Sequence, residues 1–446
     1  MHDANSTFAR NSTPAAETAA RASRSGPSRT RPYHSRRTLV IFSQVFVPDP
    51  ASVGQHIADV AVEMARRGWR VRVYTSARGY DDPTQRYPWR ENYHGVDVRR
   101  LPLASFGKKS ILTRIIGTAS FMLQAVFRGC LTSDLAGVFF STSPPLIGFA
   151  ATFVKVFRTV PIAYWAMDLN PDQLVAMGKL TKDQLATTFL ESTNRMILKN
   201  SSLIIALDRF MAQRLRARVK LDDKLVIIPP WPHETFVEPV PRESNPFRLR
   251  HGLSDKFVIM YSGNHSPSNP LDTLLEAARR MKDDPNVRFL FVGGGIGKKD
   301  VEKFVAENHL TNCITLPYQP LSELRYSLSA ADVHVVSLGD NMVGIIHPCK
   351  VYGAMAVSKP VLFFGPKPSH ISDLLDRHQF GIHVAHGDVE GALAAIEQFR
   401  AMPRQQLDAM GQIAQRVLGE NLSQELLCGR LCDGLEITLG AATPAV

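Results

Sequence analysis

The chain has 446 residues, of which 44% are hydrophobic and 21% are charged, and its formal net charge at pH 7 is +11. This length exceeds that of an ordinary single domain, and the composition excludes a fibrous or largely disordered protein. The five cysteines are scattered without the paired spacing of a zinc site, which favours a reducing, cytoplasmic compartment.

The first 36 residues are rich in Ala, Ser, Thr, Pro and Arg and contain almost no large apolar side chain. Such a segment cannot bury enough apolar surface to fold, so we predict a disordered basic tail over residues 1–36. It lacks the apolar stretch of a secretory signal. Its arginines would also suit an organellar transit peptide, and this alternative stays open.

The next part of the chain, residues 37–236, alternates apolar strands with helical patterns. Thr38–Phe42 is a continuous apolar run, typical of a strand buried on both faces. A loop with Gly54 follows, then apolar residues at helical spacing that include His56 near their start. Further strands are predicted at residues 71–74, 135–140, 162–165, 203–207 and 226–229. This order of strand, helix and strand predicts a parallel sheet.

The alternation restarts after a segment rich in Pro and Arg, which we interpret as a linker at residues 237–254. The second domain is predicted over residues 255–403, and helices over residues 404–440. We therefore predict an α/β protein with two doubly wound, Rossmann-like domains. Ligands of such folds bind in the cleft at the carboxyl ends of the strands.

The most informative segment of the second domain is a loop with His347 and Pro348, followed by a helix that begins near Lys350 and Val351. Proline suits the first turn of a helix because its missing N–H would be unpaired there anyway. Free N–H groups and the positive end of the dipole make such a helix start a natural phosphate site. A lysine there otherwise opposes the dipole, so we expect Lys350 to contact an anion.

Taken together, these motifs resemble the family 4 glycosyltransferases of the GT-B fold, in particular the branch that builds bacterial O-antigen and capsular polysaccharide. The resemblance covers nearly the whole chain from Leu39 onward. It rests on the order and spacing of motifs at residues 48–54, 141–145, 168–171, 230–265 and 348–361. It also implies that the C-terminal helices pack back on the first domain.

The resemblance implies transfer of a sugar from a nucleoside diphosphate sugar to a glycan or polyprenyl-linked acceptor. Transfer in this family usually retains the anomeric configuration and uses neither a metal nor a cofactor. The implied catalytic residues are Asp168, at the end of a first-domain strand, and Lys350. The implied donor-binding residues are Gly54, Gly263, Asn264, His265, Gly294, His347, Lys350 and Val351.

The chain departs from the family pattern at four positions. Ile345 and Gly353 stand where most relatives carry a pair of glutamates, and Asn264 and Asn269 stand where they carry Arg and Lys. Two alternatives therefore stay open: a nucleotide-sugar epimerase of the same fold, or an inactive sugar-nucleotide-binding protein. His56 is either a sugar or phosphate contact or a surface residue.

Residues 106–128 are mostly apolar but contain several basic residues, among them Lys108 and Lys109. Charged and polar residues interrupt the apolar segment too often for it to predict a membrane span. An interfacial helix attracted to anionic lipid fits this pattern. A first-domain helix with its core face inward fits equally well. We expect a cytoplasmic protein, peripheral on the inner face of the membrane, and no nucleic-acid partner.

Overall fold

The computed structural model describes residues 37–49, 51–79, 82–104, 111–181, 183–232 and 238–440. The predicted basic tail, together with Lys108 and Lys109, lies outside these residues. All statements about the fold and its contacts refer to the described part of the chain.

The first domain is built on a sheet of eight strands in the order β3-β4-β2-β1-β5-β6-β7-β8. Its strands are β1 (Thr38–Phe42), β2 (Arg70–Ser76), β3 (Arg90–Tyr93), β4 (Val96–Leu101), β5 (Leu135–Phe140), β6 (Ile162–Trp165), β7 (Leu203–Ala206) and β8 (Leu225–Ile227). Its helices are α1 (Ser52–Arg66), α2 (Ile111–Cys130), α3 (Ile147–Arg158), α4 (Asp172–Ala176), α5 (Leu185–Asn200) and α6 (Arg209–Arg218). Only the edge pair β3 and β4 is antiparallel.

The second domain has a parallel sheet of six strands in the order β11-β10-β9-β12-β13-β14. The strands are β9 (Phe257–Ser262), β10 (Val287–Val292), β11 (Cys313–Leu316), β12 (Val333–Ser337), β13 (Val361–Phe364) and β14 (Gly381–Val384). The helices that follow the first domain along the chain are α7 (Pro246–Arg250), α8 (Asp272–Arg280), α9 (Lys298–Glu307), α10 (Leu324–Ser329), α11 (Lys350–Ala356), α12 (His370–His378), α13 (Val389–Ala401), α14 (Arg404–Asn421) and α15 (Gln424–Gly440). The prediction of two doubly wound domains is confirmed.

The two domains share a continuous apolar core. One buried cluster includes Leu169 and Met211 of the first domain and Met342, Ile345 and Tyr352 of the second. The backbone N–H of Leu169 also donates to the carbonyl oxygen of Ile345 across the cleft, at 3.0 Å. The contact between the domains is therefore apolar at its centre and brings the carboxyl ends of the two sheets together.

The last two helices lie on different domains. Helix α14 packs against α11 and α12 of the second domain, whereas α15 packs against α1 and β7 of the first. On α15, Leu431 and Leu435 are fully buried. Arg67, at the end of α1, bonds to Asp433 at 2.6 Å and to Glu436 at 2.8 Å. The crossing back to the first domain is thus made by α15.

The segment that we interpreted as a linker is anchored to the second domain by Asp332. The buried carboxylate of Asp332 accepts hydrogen bonds from Arg242 at 2.7 Å and from Arg248 at 3.2 Å. It also accepts from Arg404, at the start of α14, at 2.7 Å. One carboxylate therefore joins the linker, the beginning of β12 and the first C-terminal helix.

Candidate active site

Two glycine loops meet at the carboxyl end of the second sheet, after β9 and after β10. The backbone φ angles are +131° at Gly263 and +128° at Gly293, a region that favours glycine. A Cβ atom added to Gly293 would lie 2.0 Å from the carbonyl oxygen of Gly263, and one added to Gly294 would lie 2.9 Å from the ring of Tyr318. Gly293 is therefore required for the two loops to touch, whereas Gly294 leaves room for the ring of Tyr318.

The side chain of Lys350 lies against this pair of loops. A Cβ on Gly263 would come within 2.9 Å of Lys350 Cε, and Lys350 Nζ is 5.3 Å from the centre of the Tyr261 ring. Burial lowers the pKa of Lys350 to about 8. Among the described residues, no carboxylate forms an ion pair with this amine. The ammonium group is thus partly desolvated and free to pair with an anion.

The start of helix α11 differs from the prediction. The N–H of Val351 donates to the carbonyl of Pro348 at 3.4 Å, and the N–H of Tyr352 donates to that of Cys349 at 3.0 Å. The expectation of free N–H groups at this helix start is therefore wrong for these two, because the preceding turn already pairs them. The side chain of Val351 is fully buried. Anion binding here would depend mainly on the side chain of Lys350.

The neighbouring residues of the first glycine loop have different environments. Asn264 is exposed, whereas His265 is only 1% exposed. The ring Nδ1 of His265 lies 3.1 Å from the carbonyl oxygen of Gly263. Burial, helped by the charge of Lys298, lowers the pKa of His265 to about 4, so the ring is neutral at pH 7. His265 supports the loop, and Asn264 is the member of this pair that faces solvent.

On the first-domain side, Asp168 lines a small pocket together with Ser141 and Thr142, which follow β5. Burial raises the pKa of Asp168 to about 6. Gly54 lies near the start of α1 and packs closely on the loop after β1: a Cβ there would lie 3.1 Å from the backbone nitrogen of Phe46. The close approach of α1 to the loop after β1 therefore favours glycine at this position.

A cluster of polar side chains crosses from one domain to the other beside α11. Asp208 Oδ2 is 3.1 Å from His347 Nδ1, and His347 Nε2 is 2.7 Å from the hydroxyl of Tyr352. The ring of His370 lies 4.3 Å from that of His347, centre to centre. The His347 side chain is 1% exposed. Its predicted contact with the donor stays a prediction, and the ring would have to exchange one of these partners to make it.

The sequence prediction missed Asp208, His370 and Tyr352. The sequence did contain a signal for the first two, because each follows an apolar strand. Asp208 comes soon after β7, and His370 comes after β13 and a short loop. Polar residues in such places reach the cleft because the carboxyl ends of parallel strands lie at one edge of a sheet.

Models of two glycosyltransferase families match the chain. A glycosyl transferase 4-like domain matches residues 52–231, and the model of glycosyl transferases group 1 matches residues 256–401. The chain belongs to the family 4 glycosyltransferases. The predicted enzyme class, a glycosyltransferase, is thereby confirmed.

Two curated relatives of this glycosyltransferase support the same conclusion. The probable glycosyltransferase WbjE of Pseudomonas aeruginosa is 28% identical over 332 residues, covering 74% of this chain and 82% of WbjE. The putative colanic acid biosynthesis glycosyl transferase WcaI of Escherichia coli K12 is 23% identical over 412 residues, covering 87% of this chain and 98% of WcaI.

Solved structures confirm the predicted GT-B fold of the glycosyltransferase. The structure of HepE of Anabaena, in complex with UDP and glucose, superimposes with a TM-score of 0.66 at 14% sequence identity. The alignment covers 89% of this chain and 99% of the HepE chain. The structure of WaaG, a glycosyltransferase involved in lipopolysaccharide biosynthesis, superimposes with a TM-score of 0.65 at 14% sequence identity. That alignment covers 89% of this chain and 98% of the WaaG chain. The candidate site of this chain lies in the cleft between its two domains.

Proposed function

We propose that this glycosyltransferase transfers a sugar from a nucleoside diphosphate sugar to a glycan or lipid-linked acceptor in polysaccharide or O-antigen biosynthesis. The observation that carries the proposal is the partly desolvated amine of Lys350 against two touching glycine loops. A leaving diphosphate needs positive charge and backbone groups close to it. The complex of HepE with UDP and glucose, and the names of WbjE and WcaI, support this reading.

Each side of the cleft has a role in the proposed reaction. Lys350 would stabilise the charge that develops on the departing diphosphate, with the loop of Gly263 and Asn264 and that of Gly294 close to the donor. The carboxylate of Asp168 would face the transferred sugar, where positive charge develops at the anomeric carbon. We propose that transfer retains the anomeric configuration and needs no metal ion at the diphosphate.

A cavity next to the loop of Asp168 suits a phosphate-linked acceptor. It lies between the domains, and its lining includes three arginines, Arg195, Arg214 and Arg218, and two acids, Asp172 and Glu191. Arg218 pairs with Asp172, and Arg214 Nε donates to the carbonyl oxygen of Val343 at 2.7 Å. Guanidinium groups bind phosphate in a bidentate manner. This cavity therefore supports an acceptor that carries a diphosphate, such as a polyprenyl-linked sugar.

A thermal-shift panel tests the donor site. We expect a UDP-sugar or another nucleoside diphosphate sugar to raise the melting temperature of the wild-type protein. Lys350→Ala should lose that shift, because it removes the proposed cation. Lys303→Ala is the matched control, since Lys303 is exposed on α9 of the same domain. If no nucleotide or sugar nucleotide stabilises the wild-type protein, the proposal fails.

Turnover separates the transferase from the two alternatives. Donor consumption should require an acceptor if the protein is a transferase. An epimerase would convert the donor alone, and an inactive binding protein would show a thermal shift without turnover. The family models and relatives do not favour either alternative.

We also propose that the protein docks on an anionic membrane through a three-helix face, formed by α2, α3 and α5 of the first domain. The helices lie side by side, and among the described residues none has the length and apolar character needed to cross a bilayer. The large apolar side chains exposed on this face are Ile115, Ile116, Leu123, Phe127, Leu131, Phe149, Phe153, Val156, Phe157, Leu185 and Phe189. An exposed apolar area of this extent marks an interaction surface.

The charges of the three-helix face indicate an anionic partner. Helices α2 and α3 contain basic residues and no acidic residue, and α5 adds Lys199, while its Arg195 and Glu191 line the cavity between the domains. The pocket of Asp168 is lined by the beginning of α3 and by α5. A lipid-linked acceptor could therefore reach the site from this face with its lipid still in the bilayer.

Vesicle flotation tests the three-helix face. The wild-type protein should float with vesicles that contain phosphatidylglycerol, and the double variant Phe127→Glu, Phe157→Glu should not. Both side chains are 66% exposed, so the fold should tolerate the change. Leu321→Glu is the control, because Leu321 is 88% exposed but belongs to the second domain. Equal flotation of the double variant and the wild type would contradict this proposal.

A further inference from the structure

Three side chains from separate segments converge between the domains. Asp208 lies at the amino-terminal cap of α6 in the first domain, His347 lies in the loop before α11, and His370 is the first residue of α12. One potential ligand atom from each lies within 4.8 Å of the other two. Among the described residues, this is the one group of His, Cys, Asp or Glu with such geometry.

We propose that Asp208, His347 and His370 bind one divalent transition-metal ion, which joins the two domains. This inference goes beyond the proposed sugar transfer, because it adds a binding site and does not place the ion on the diphosphate. It also changes the interpretation of His347 from a donor contact to a metal ligand.

The hydrogen bonds around the cluster leave the right atoms for a metal. Asp208 Oδ1 accepts from the backbone N–H of Met211 at 2.8 Å, so Oδ2, which lies 3.1 Å from His347 Nδ1, is the oxygen that an ion between the two side chains would take. His347 Nε2 contacts the hydroxyl of Tyr352 at 2.7 Å, which leaves Nδ1 on the side of Asp208. Metal-binding imidazoles and carboxylates typically have their other polar atom held in this way.

His370 provides the observation that a simple hydrogen-bonded cluster does not explain. Its Nε2 atom is buried and has no hydrogen-bond partner. A buried polar atom without a partner is destabilising, and such atoms in proteins call for an explanation. A metal ion shared with Asp208 and His347 would give this nitrogen a partner.

The donor set indicates the class of metal. Two imidazole nitrogens and one carboxylate oxygen suit Zn²⁺ or a similar first-row ion, with a water molecule in the remaining position. Mg²⁺ and Ca²⁺ prefer sites built from oxygen atoms alone. Because Asp208 belongs to one domain and the two histidines to the other, the ion would restrict opening of the cleft next to the helix of Lys350.

Metal content tests the proposal directly. The full chain is treated with a chelator, incubated with excess Zn²⁺ or Co²⁺, passed through a desalting column and measured by elemental analysis. We expect about one ion per chain in the wild-type protein, a Co²⁺ absorption spectrum of a nitrogen and oxygen site, and a higher melting temperature with Zn²⁺.

The variants His370→Gln and Asp208→Asn should lose the ion. Asparagine keeps an acceptor for the cap of α6, so Asp208→Asn should still fold. His309→Asn is the control: His309 is exposed and has a φ of +51°, which asparagine tolerates, so its metal content should equal that of the wild type. A wild-type protein that retains no metal, or a His370→Gln variant that retains as much as the wild type, would overturn the proposal. The nucleotide thermal shift of the wild-type protein is measured separately, so either proposal can fail alone.

Discussion

Lys350 combines an aliphatic stem packed on glycine with an amine that is partly removed from water. Burial disfavours the charged form of an amine, which is why its pKa falls to about 8. A bound diphosphate would reverse this effect by favouring the charged form. The proposed donor site should therefore bind its ligand and a proton together whenever the pH exceeds that pKa.

This linkage predicts a pH dependence of donor affinity. Below pH 8 the free protein carries a charged Lys350, and above it the amine becomes neutral, so the Kd of a UDP-sugar should rise as the pH increases from 7.5 to 9.5. The increase should approach about tenfold per pH unit well above the pKa. Calorimetric titration at several pH values measures it. Lys350→Arg stays charged throughout this range and should give a flatter profile; a flat profile for the wild type would contradict the prediction.

The position of Lys350 could be predicted from sequence, but the environments of several other residues could not. His56 was expected to contact a ligand or lie on the surface, and it is buried, with Nε2 at 2.8 Å from the carbonyl oxygen of Trp231. That contact joins residues 175 positions apart, so no local pattern indicates it. Asp208 was missed because an aspartate after a strand is also ordinary cap chemistry, which it does provide.

At the scale of elements, the buried parallel strands were the easiest to predict. Strands β1 and β9 consist almost entirely of buried residues, so their sequences are continuous apolar runs. The edge strand β3 and its neighbour β4 were missed because they are partly exposed and carry charges, as in Arg90, Glu91 and Arg99. Burial on both faces leaves a clear sequence signal, and an exposed edge does not.

The anchoring of the linker by Asp332 leads to a stability prediction. Asp332→Asn should reduce the free energy of unfolding by about 3–5 kcal/mol, because it leaves the buried guanidinium of Arg248 without a counter-charge. Chemical denaturation measures the effect. Asp408→Asn is the control, since its pair with Arg404 is half exposed and should contribute less than about 1 kcal/mol. An equal effect of the two substitutions would show that Asp332 does not anchor the linker.

The same carboxylate should contribute to acid sensitivity. Burial alone would raise the pKa of Asp332, but the charges of Arg248 and Arg242 hold it below its ordinary value. The stabilisation is therefore complete above the pKa of the unfolded chain, about 3.9, and is lost as the pH falls through the lower pKa of the folded state. The loss of stability between pH 5 and pH 2 should be smaller in Asp332→Asn than in the wild type.

At the scale of the whole molecule, the crossing of α15 makes the first domain depend on the end of the chain. Leu431→Ala should reduce the free energy of unfolding by about 2–5 kcal/mol, because Leu431 is fully buried in the core of the first domain. Ile437→Ala is the control: Ile437 is on the same helix and is 73% exposed, so its effect should be within about 0.5 kcal/mol. A small effect of Leu431→Ala would show that α15 is only loosely attached.

The path of α15 also determines the order in which the domains can mature during synthesis. A ribosome makes α1 and β7 early, yet the apolar surface that they share with Leu427, Leu431 and Leu435 stays uncovered until α15 has been made. The elements that pack in the second domain end with α14, so this domain can complete its fold before α15 has been made. During translation, the domain that is made first is therefore the one that is completed last.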